Sequence, residues 1–316
     1  MLKIQSFIVQ HGSSCRGIAR ATSTSHFLTS ISSSSHLRAA TFASKKPNKD
    51  TFGKQEVIET PSLLTISSYY RYPEFGVNNY VNLTRETVLM VKKPSDSLFN
   101  STTKAVYGVG CAHVTHPFLY PYLYSEDRHQ LLLALGESNI KTQLEYRDQK
   151  TGRVLQTVPL HRPFYLHPTL DLVCFKMNID DLLKSNLPFK PSILELEKYE
   201  EPRKGHTGKL FGYQMISDKD DIMTPVESEY RFNVAEPANH FVQTKSVMAP
   251  SIRGGPAVNF DNEVVGMIVA MVKLDPKAIE EHEDENRRIF LNSLNSNTVY
   301  LPSEVINQFI SEIDSS

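Results

Sequence analysis

The residues best placed to do chemistry lie in the loop Ser251–Pro256, which reads Ser-Ile-Arg-Gly-Gly-Pro. A Gly-Gly turn beside a nucleophile can supply backbone N–H groups that stabilise an oxyanion. The residue before the glycines is Arg253, whose guanidinium has five donors, no lone pair to offer and a pKa above ~12. Arg253 therefore cannot attack a carbonyl, and Ser251 lies two residues away, several ångströms at ~3.3 Å per residue.

The segments that flank this loop have the pattern of short strands. Phe241–Thr244 precedes the loop, and two apolar runs, Ala257–Phe260 and Glu263–Ala270, follow it. They are joined by Asp261-Asn262, two residues that tolerate positive φ, so the pattern predicts a hairpin. After a further short strand, apolar residues recur at helical spacing and predict a closing helix, at Val305, Ile306, Phe309 and Ile310.

This order of elements resembles the C-terminal barrel of trypsin-like serine proteases of the HtrA/Deg type. In that family the loop reads Gly-Asn-Ser-Gly-Gly-Pro, a Val-Val-Gly strand follows, as at Val264–Gly266, and a strand ending in Ile-Pro-Ser enters the last helix. The resemblance covers roughly residues 85 to 312. It implies an all-β fold of two antiparallel six-stranded β-barrels with a closing C-terminal helix.

The resemblance also implies a triad in the chain order histidine, aspartate, nucleophile. His113 lies in Cys-Ala-His-Val, which is similar to the family's Asn-Ala-His-Val, and would be the general base. His116 is close enough to be the alternative. Asp171 begins Asp-Leu-Val-Cys, similar to the family's Asp-Leu-Ala-Val, and would orient the histidine.

Two departures from the family fall in the loop itself. Arg253 takes the nucleophile position, and Ser251 replaces the glycine whose N–H forms half of the oxyanion hole; Ile252, Gly254 and Gly255 complete this oxyanion loop. Glycine reaches torsions that other residues avoid, and loss of the nucleophile alone costs about a million-fold in turnover in comparable enzymes. The resemblance therefore implies a protease fold without protease chemistry. We expect Arg253 to pair with Asp171 or another carboxylate.

Composition excludes some functions. The 316 residues are 22% charged and 40% hydrophobic with a net charge of −1, which describes a globular chain with a substantial core. This charge favours no nucleic-acid partner, and no apolar run approaches the ~20 residues of a membrane span. Cys111 and Cys174 lack metal-binding spacing, and we expect no metal or cofactor. We expect both to be buried thiols, because free cysteine is among the most buried residue types. A regulatory disulfide and a thiol nucleophile are the alternatives.

The N-terminal segment differs in composition from the rest. Residues 1–49 contain no Asp or Glu, carry seven Lys and Arg residues and are dense in Ser and Thr, which is typical of an organellar transit peptide. We predict a mitochondrial protein, with a plastid as the next candidate and a basic tail as the plain alternative. Residues 50–83 are expected to be an N-terminal extension, and 84–316 the trypsin-like domain, with no PDZ domain after it.

The sequence is consistent with three functions. The first is a catalytically inactive trypsin-like protein that binds polypeptide or serves as an accessory subunit of a larger assembly or homo-oligomer. The second is an active HtrA-like endopeptidase with an unusual nucleophile. The third is a structural β-domain unrelated to proteases, to be preferred if His113, Asp171 and Arg253 lie far apart. Whether the chain is an enzyme is therefore undecided by sequence.

Overall fold

The computed structural model describes most of the chain from Ile58 onward. The described residues are 58–92, 105–182, 184, 186–197, 204–215, 221–236, 239–245, 248–249, 252–280 and 284–315. Residues 1–49, the predicted transit peptide, lie outside them, and their assignment stays a prediction.

The first half of the fold is an open, mainly antiparallel sheet of eight strands. Its strands are β1 (Leu64–Tyr72), β2 (Val77–Lys92), β3 (Ala105–Gly110), β4 (Ile140–Arg147), β5 (Val154–Pro159), β6 (Tyr165–Leu166), β7 (Val173–Asn178) and β8 (Leu194–Glu195). The order across the sheet is β5-β4-β1-β2-β3-β7-β6, and β8 pairs with β2 in parallel. The long strand β2 thus lies near the centre of the sheet.

A closed six-stranded barrel was expected in this half, and the structure corrects that expectation. The edge strands β5 and β6 do not pair with each other in the part of the chain that the structure describes. β6 has only two residues. Pro159 ends β5, and Pro163 lies in the segment that leads to β6. Because proline has no N–H to donate to a strand ladder, these prolines are typical of an unpaired edge.

The folded body also begins earlier than residue 84, where the sequence analysis placed its start. β1 lies inside the sheet, between β2 and β4. Its Leu64 and Ile66 side chains are buried in the apolar core. Thr65 and Ser67 are also buried, and their hydroxyls donate to the Glu145 carboxylate at 3.1 and 2.7 Å. The predicted extension therefore contains an inner strand of the sheet.

The second half is a closed barrel of six antiparallel strands, as predicted. Its strands are β9 (Thr207–Met215), β10 (Met223–Glu236), β11 (Asn239–Thr244), β12 (Pro256–Val258), β13 (Val264–Met271) and β14 (Thr298–Pro302). Their order around the barrel is β10-β11-β14-β13-β12-β9. The predicted hairpin joins β12 to β13, and Asn262 in its turn has a φ of 62°, which asparagine tolerates.

The described helices are α1 (Ala112–Thr115), α2 (Glu126–Ala134), α3 (Ile179–Leu182), α4 (Pro276–Glu280), α5 (Glu285–Leu294) and α6 (Ser303–Ser315). Taken alone, the apolar run Leu131–Leu135 predicts a short strand, and that prediction is wrong because its first four residues end α2. Pro276 and the helix-forming residues after it predict one exposed helix across residues 274–288, and the described residues contain two, α4 and α5. Among the described residues, no helix has the length and apolarity needed to cross a membrane.

The predicted closing helix, α6, packs against both halves of the fold. One apolar core contains side chains from the open sheet, the barrel and the helix: Leu89, Val109, Leu172, Val264, Met267, Leu301, Ile306, Phe309, Ile310 and Ile313. Full burial of such a side chain contributes about 1.5–3 kcal/mol. A polar contact adds to this core, because the Tyr107 hydroxyl donates to Asp314 Oδ1 at 2.6 Å. The helix therefore fixes the open sheet against the barrel.

Candidate functional site

His113 is held where β3 ends. The strand finishes at Gly110, and His113 follows in the short helix α1. The Tyr124 hydroxyl donates to the His113 carbonyl oxygen at 2.8 Å. The imidazole itself is buried. Backbone and ring are thus both fixed by their surroundings.

Asp171 is positioned by the turn that precedes β7. Nδ1 of His167 accepts the backbone N–H groups of Thr169 and Leu170, at 3.2 and 3.1 Å, and the His167 N–H donates to the Leu172 carbonyl at 2.9 Å. This compact turn directs the Asp171 carboxylate toward α1. The buried strand that follows anchors the turn.

The structure brings His113 and Asp171 into direct contact. The His113 backbone N–H donates to Asp171 Oδ1 at 2.8 Å, and ring Nδ1 lies 2.6 Å from Oδ2. This is the contact by which a triad aspartate orients a histidine. His116, the alternative candidate for the general base, has different partners. Its Nδ1 is 2.8 Å from the Thr115 hydroxyl, and its Nε2 is 3.9 Å from Glu137.

The loop that carries Arg253 is docked on β2. The Thr87 N–H donates to the Arg253 carbonyl at 3.1 Å, and the Gly254 N–H donates to the Ile268 carbonyl at 2.8 Å. Gly254 has a φ of 79°, and a Cβ there would collide with the Thr87 carbonyl oxygen. Ile252 is buried in the barrel core. Gly255 closes a turn onto Ile252, whose carbonyl accepts its N–H at 3.2 Å; Ser251 lies outside the described residues.

Glu86 on β2 occupies the space between the histidine and the arginine. Its Oε1 lies 3.0 Å from His113 Nε2 and 3.8 Å from Arg253 Nη1. The residue is 4% exposed. Arg253 thus pairs with a carboxylate, as expected, and the partner in direct contact is Glu86. The three triad-equivalent positions meet in one cluster through this additional acid.

Glu86 is a residue that the sequence alone does not mark, because a carboxylate inside a strand belongs to no motif. Its one signal is position. The polar residues Arg85, Glu86 and Thr87 stand directly before the apolar run Val88–Val91 in one strand. All three are buried, and burial of the charged Arg85 and Glu86 is unusual without partners. A buried charge in that position indicates a partner from another part of the chain.

The charges of the cluster set the protonation of its histidine. Burial lowers the pKa of His113, but the neighbouring Glu86 and Asp171 carboxylates outweigh burial and raise it to about 10. Burial raises the pKa of Asp171, while His113 and, to a smaller extent, Arg253 bring it below its usual value. Near neutral pH the ring is therefore an imidazolium with both nitrogens donating. Two carboxylates then balance two cations.

The two cysteines that the structure describes are buried thiols, and Cys111 lies at this cluster. Burial, and then the Glu86 and Asp171 carboxylates, raise the pKa of Cys111 well above its usual value. Burial also raises the pKa of Cys174 to about 12. Both are free cysteines, and they lie in different apolar cores. Neither supplies a thiolate near neutral pH, and the structure contains no disulfide between them.

Three groups of the cluster are near enough to one another to hold a metal ion. The donor atoms of Glu86, Cys111 and His113 all lie within 4.8 Å of one another. A cation there would need the imidazole and the thiol to lose protons. It would also lie beside the Arg253 guanidinium. The donor set does not fit a bound metal while Glu86 is shared between two cationic side chains.

Comparisons with known proteins give a likeness in structure but none in sequence. No family model and no curated protein matches the chain. Among solved structures, the chain is similar to an inactive form of Rv3671c from M. tuberculosis H37Rv, a mutant in which a serine is replaced by alanine. The identity is 12% and the TM-score 0.43, over 81% of this chain and 88% of that chain. A likeness of this quality assigns neither fold nor function.

Proposed function

We propose that this chain is a catalytically inactive trypsin-like protein of the HtrA type. Support comes from the order His113, Asp171, Arg253 along the chain and from the contact between the first two. It also comes from the position of the Gly-Gly loop between the barrel and β2. Since His113 and Arg253 contact one carboxylate oxygen, the alternative of a β-domain with scattered residues loses its main support.

The observation that carries this proposal is the Glu86 carboxylate at His113 Nε2. In a triad this nitrogen accepts the proton of the nucleophile, so it needs a lone pair. A ring flanked by carboxylates on both nitrogens is protonated instead. Arg253 in turn offers no lone pair with which to attack. The general base and the nucleophile are therefore both missing.

The alternative of an active endopeptidase needs another nucleophile at this place. Cys111 is the nearest thiol, but burial and adjacent carboxylates keep it protonated. A buried thiol of high pKa is a poor nucleophile. An inactive protein in which His113 and Arg253 are held by carboxylates agrees better with these groups.

The role that fits such a protein is binding. A protease fold that has lost its chemistry still offers the surfaces with which its relatives bind polypeptide, so we propose a polypeptide-binding protein or an accessory subunit of a larger assembly. We further propose that it acts in mitochondria, because residues 1–49 lack acidic residues and are rich in Lys, Arg and Ser. The helices α4 and α5 occupy the segment that forms the wall of the specificity pocket in the proteases it resembles.

Labelling with a fluorophosphonate probe tests the proposal. The probe reacts with an activated hydroxyl, so the purified protein should remain unlabelled and should not hydrolyse casein. Trypsin in the same buffer serves as the positive control. Strong labelling mapped to a residue near His113 would refute the proposal and favour an active endopeptidase.

A further inference from the structure

A cavity opens at the end of the barrel where β9 begins and β14 ends. Its volume is about 360 Å³, and none of its lining residues belongs to the His113 cluster. Small-molecule sites begin at roughly 300 Å³. The described lining includes six aromatic or imidazole rings and two carboxylates, from His206, Tyr230, Phe232, His240, Phe260, Tyr300, Glu197 and Asp261. No Lys or Arg occurs among these described lining residues.

Aromatic rings form the inner wall of this barrel-end cavity. His240 packs edge-on against Tyr300 and Phe232, with ring centroids 5.3 and 5.5 Å apart, and Tyr230 lies 6.2 Å from Tyr300. These four side chains are buried, so packing fixes their orientation. Aromatic faces carry partial negative charge and attract cations, most strongly where water is excluded. The inner wall therefore favours a positively charged ligand.

The titratable groups of the inner wall carry no positive charge at neutral pH. Burial lowers the pKa of His240 to about 4, so its imidazole is neutral. Burial raises the pKa of Tyr230 and Tyr300, which keeps both hydroxyls protonated. The Glu197 carboxylate adds to both shifts, so its negative charge acts on the inner wall.

The mouth of the cavity is acidic and held in place by one asparagine. Asn259 Nδ2 donates to Glu197 Oε1 at 3.0 Å. Its Oδ1 accepts the backbone N–H groups of Asp261 and Glu263 at 3.0 and 2.9 Å. Phe260, between them in the turn, is 46% exposed. Carboxylates and an aromatic ring are thus presented together at the rim.

We propose that this cavity binds a quaternary ammonium group, carried by a free small molecule or by a trimethylated lysine side chain. The carboxylates at the mouth attract the charge, and the ring faces of Tyr230, Tyr300 and Phe232 contact the methyl groups. A primary ammonium fits less well, because the inner wall offers few acceptors to replace the water that it would lose.

Isothermal titration calorimetry of the full chain tests this proposal with matched probes. Choline is compared with 3,3-dimethyl-1-butanol, its neutral isostere, and we expect choline to bind about tenfold tighter. A peptide with one trimethyl-lysine is compared with its unmodified form to distinguish the two sources. Tighter binding of the modified peptide than of choline identifies a side-chain ligand, and the reverse order identifies a free molecule.

Variants locate the site. Glu197→Gln keeps an oxygen for Asn259 but removes the charge, and should weaken choline binding about fivefold without affecting the isostere. Phe260→Ala, at an exposed position, should also weaken it, whereas Glu74→Gln in the turn between β1 and β2 should not. Thermal melting confirms that each variant is folded. Equal affinity for choline and its isostere, no binding of choline or modified peptide at about 20 mM, or unchanged affinity in both cavity variants would overturn the proposal.

Discussion

Glu86 Oε1 lies 3.0 Å from His113 Nε2, on the side of the imidazole opposite Asp171. In a working triad that side faces the nucleophile. Here a carboxylate from β2 takes its place, and Arg253 lies 3.8 Å from the same oxygen. Two acids and two bases therefore form one largely buried cluster. Such a cluster leaves the His113 imidazole without a free lone pair to accept a proton.

Replacing Glu86 with Gln should destabilise the protein. The change leaves the buried charges of His113 and Arg253 with one carboxylate fewer, and breaking a buried pair in this way costs about 3 kcal/mol or more. Urea denaturation at pH 7 measures the free energy of unfolding. Glu74→Gln, at an exposed position, is the control and should change it by about 0.5 kcal/mol or less. A similarly small effect of Glu86→Gln would show that the cluster contributes little.

Reactivity should return in steps, and its highest level should require three changes. Arg253→Ser supplies a hydroxyl, and Ser251→Gly restores a possible oxyanion donor, which is worth about 10²–10³ in rate. Glu86→Ala removes the carboxylate that keeps His113 Nε2 protonated. Fluorophosphonate labelling should therefore rise from the single Arg253→Ser variant to the double variant with Ser251→Gly, and again to the triple variant.

The control for that series is His113→Ala added to the triple variant, which should abolish labelling because no base then remains. Melting curves confirm that each protein is folded. If the double variant is labelled as strongly as the triple variant, Glu86 does not prevent His113 from acting as a base.

The closed barrel of β9–β14 could be predicted from the sequence better than the open sheet of β1–β8, and particular residues show why. The β12–β13 hairpin and α6 follow local signals, namely turn residues and helical spacing. β1 escapes notice because Thr65 and Ser67 are buried by bonding to Glu145, so its burial has no hydrophobic pattern. The run at Leu131 is too short to distinguish a strand from the end of a helix.

Some residues of the candidate site could be predicted from the sequence, and one could not. His113, Asp171 and Arg253 belong to recognisable segments, so sequence can propose them. Glu86 is 27 residues from His113 in sequence and meets it only in the folded protein. A lone carboxylate in a strand also belongs to no motif. Sequence could therefore predict that Arg253 needs an acid, but not which one.

Gly254 should be far less replaceable than Gly76, although both have left-handed backbone torsions, with φ of 79° and 78°. Alanine at Gly76 meets nothing within 4 Å, so only the torsional cost of about 1–2 kcal/mol applies. Alanine at Gly254 also collides with the Thr87 carbonyl, which should bring the loss above about 3 kcal/mol. Urea denaturation of both variants gives the comparison. Equal losses would mean that the loop is not docked on β2.

Import into mitochondria should remove the N-terminal segment. The acid-free stretch ends at Asp50, so the mature N-terminus should lie between about residues 30 and 50. N-terminal sequencing of the protein from purified mitochondria measures this position directly. Recovery of the chain from mitochondria with Met1 intact would contradict the prediction, and its recovery from plastids alone would favour the other organelle.

The most direct test of the ion-pair cluster is the protonation state of His113. ¹⁵N-detected NMR, with the signal assigned through a His113→Gln variant, should show both ring nitrogens protonated at pH 8. The signal should not titrate until the pH approaches about 10, because Glu86 and Asp171 stabilise the imidazolium more than burial disfavours it. A neutral His113 ring that titrates near the unperturbed value of about 6.5 would contradict the account, because Nε2 would then have the lone pair of a general base.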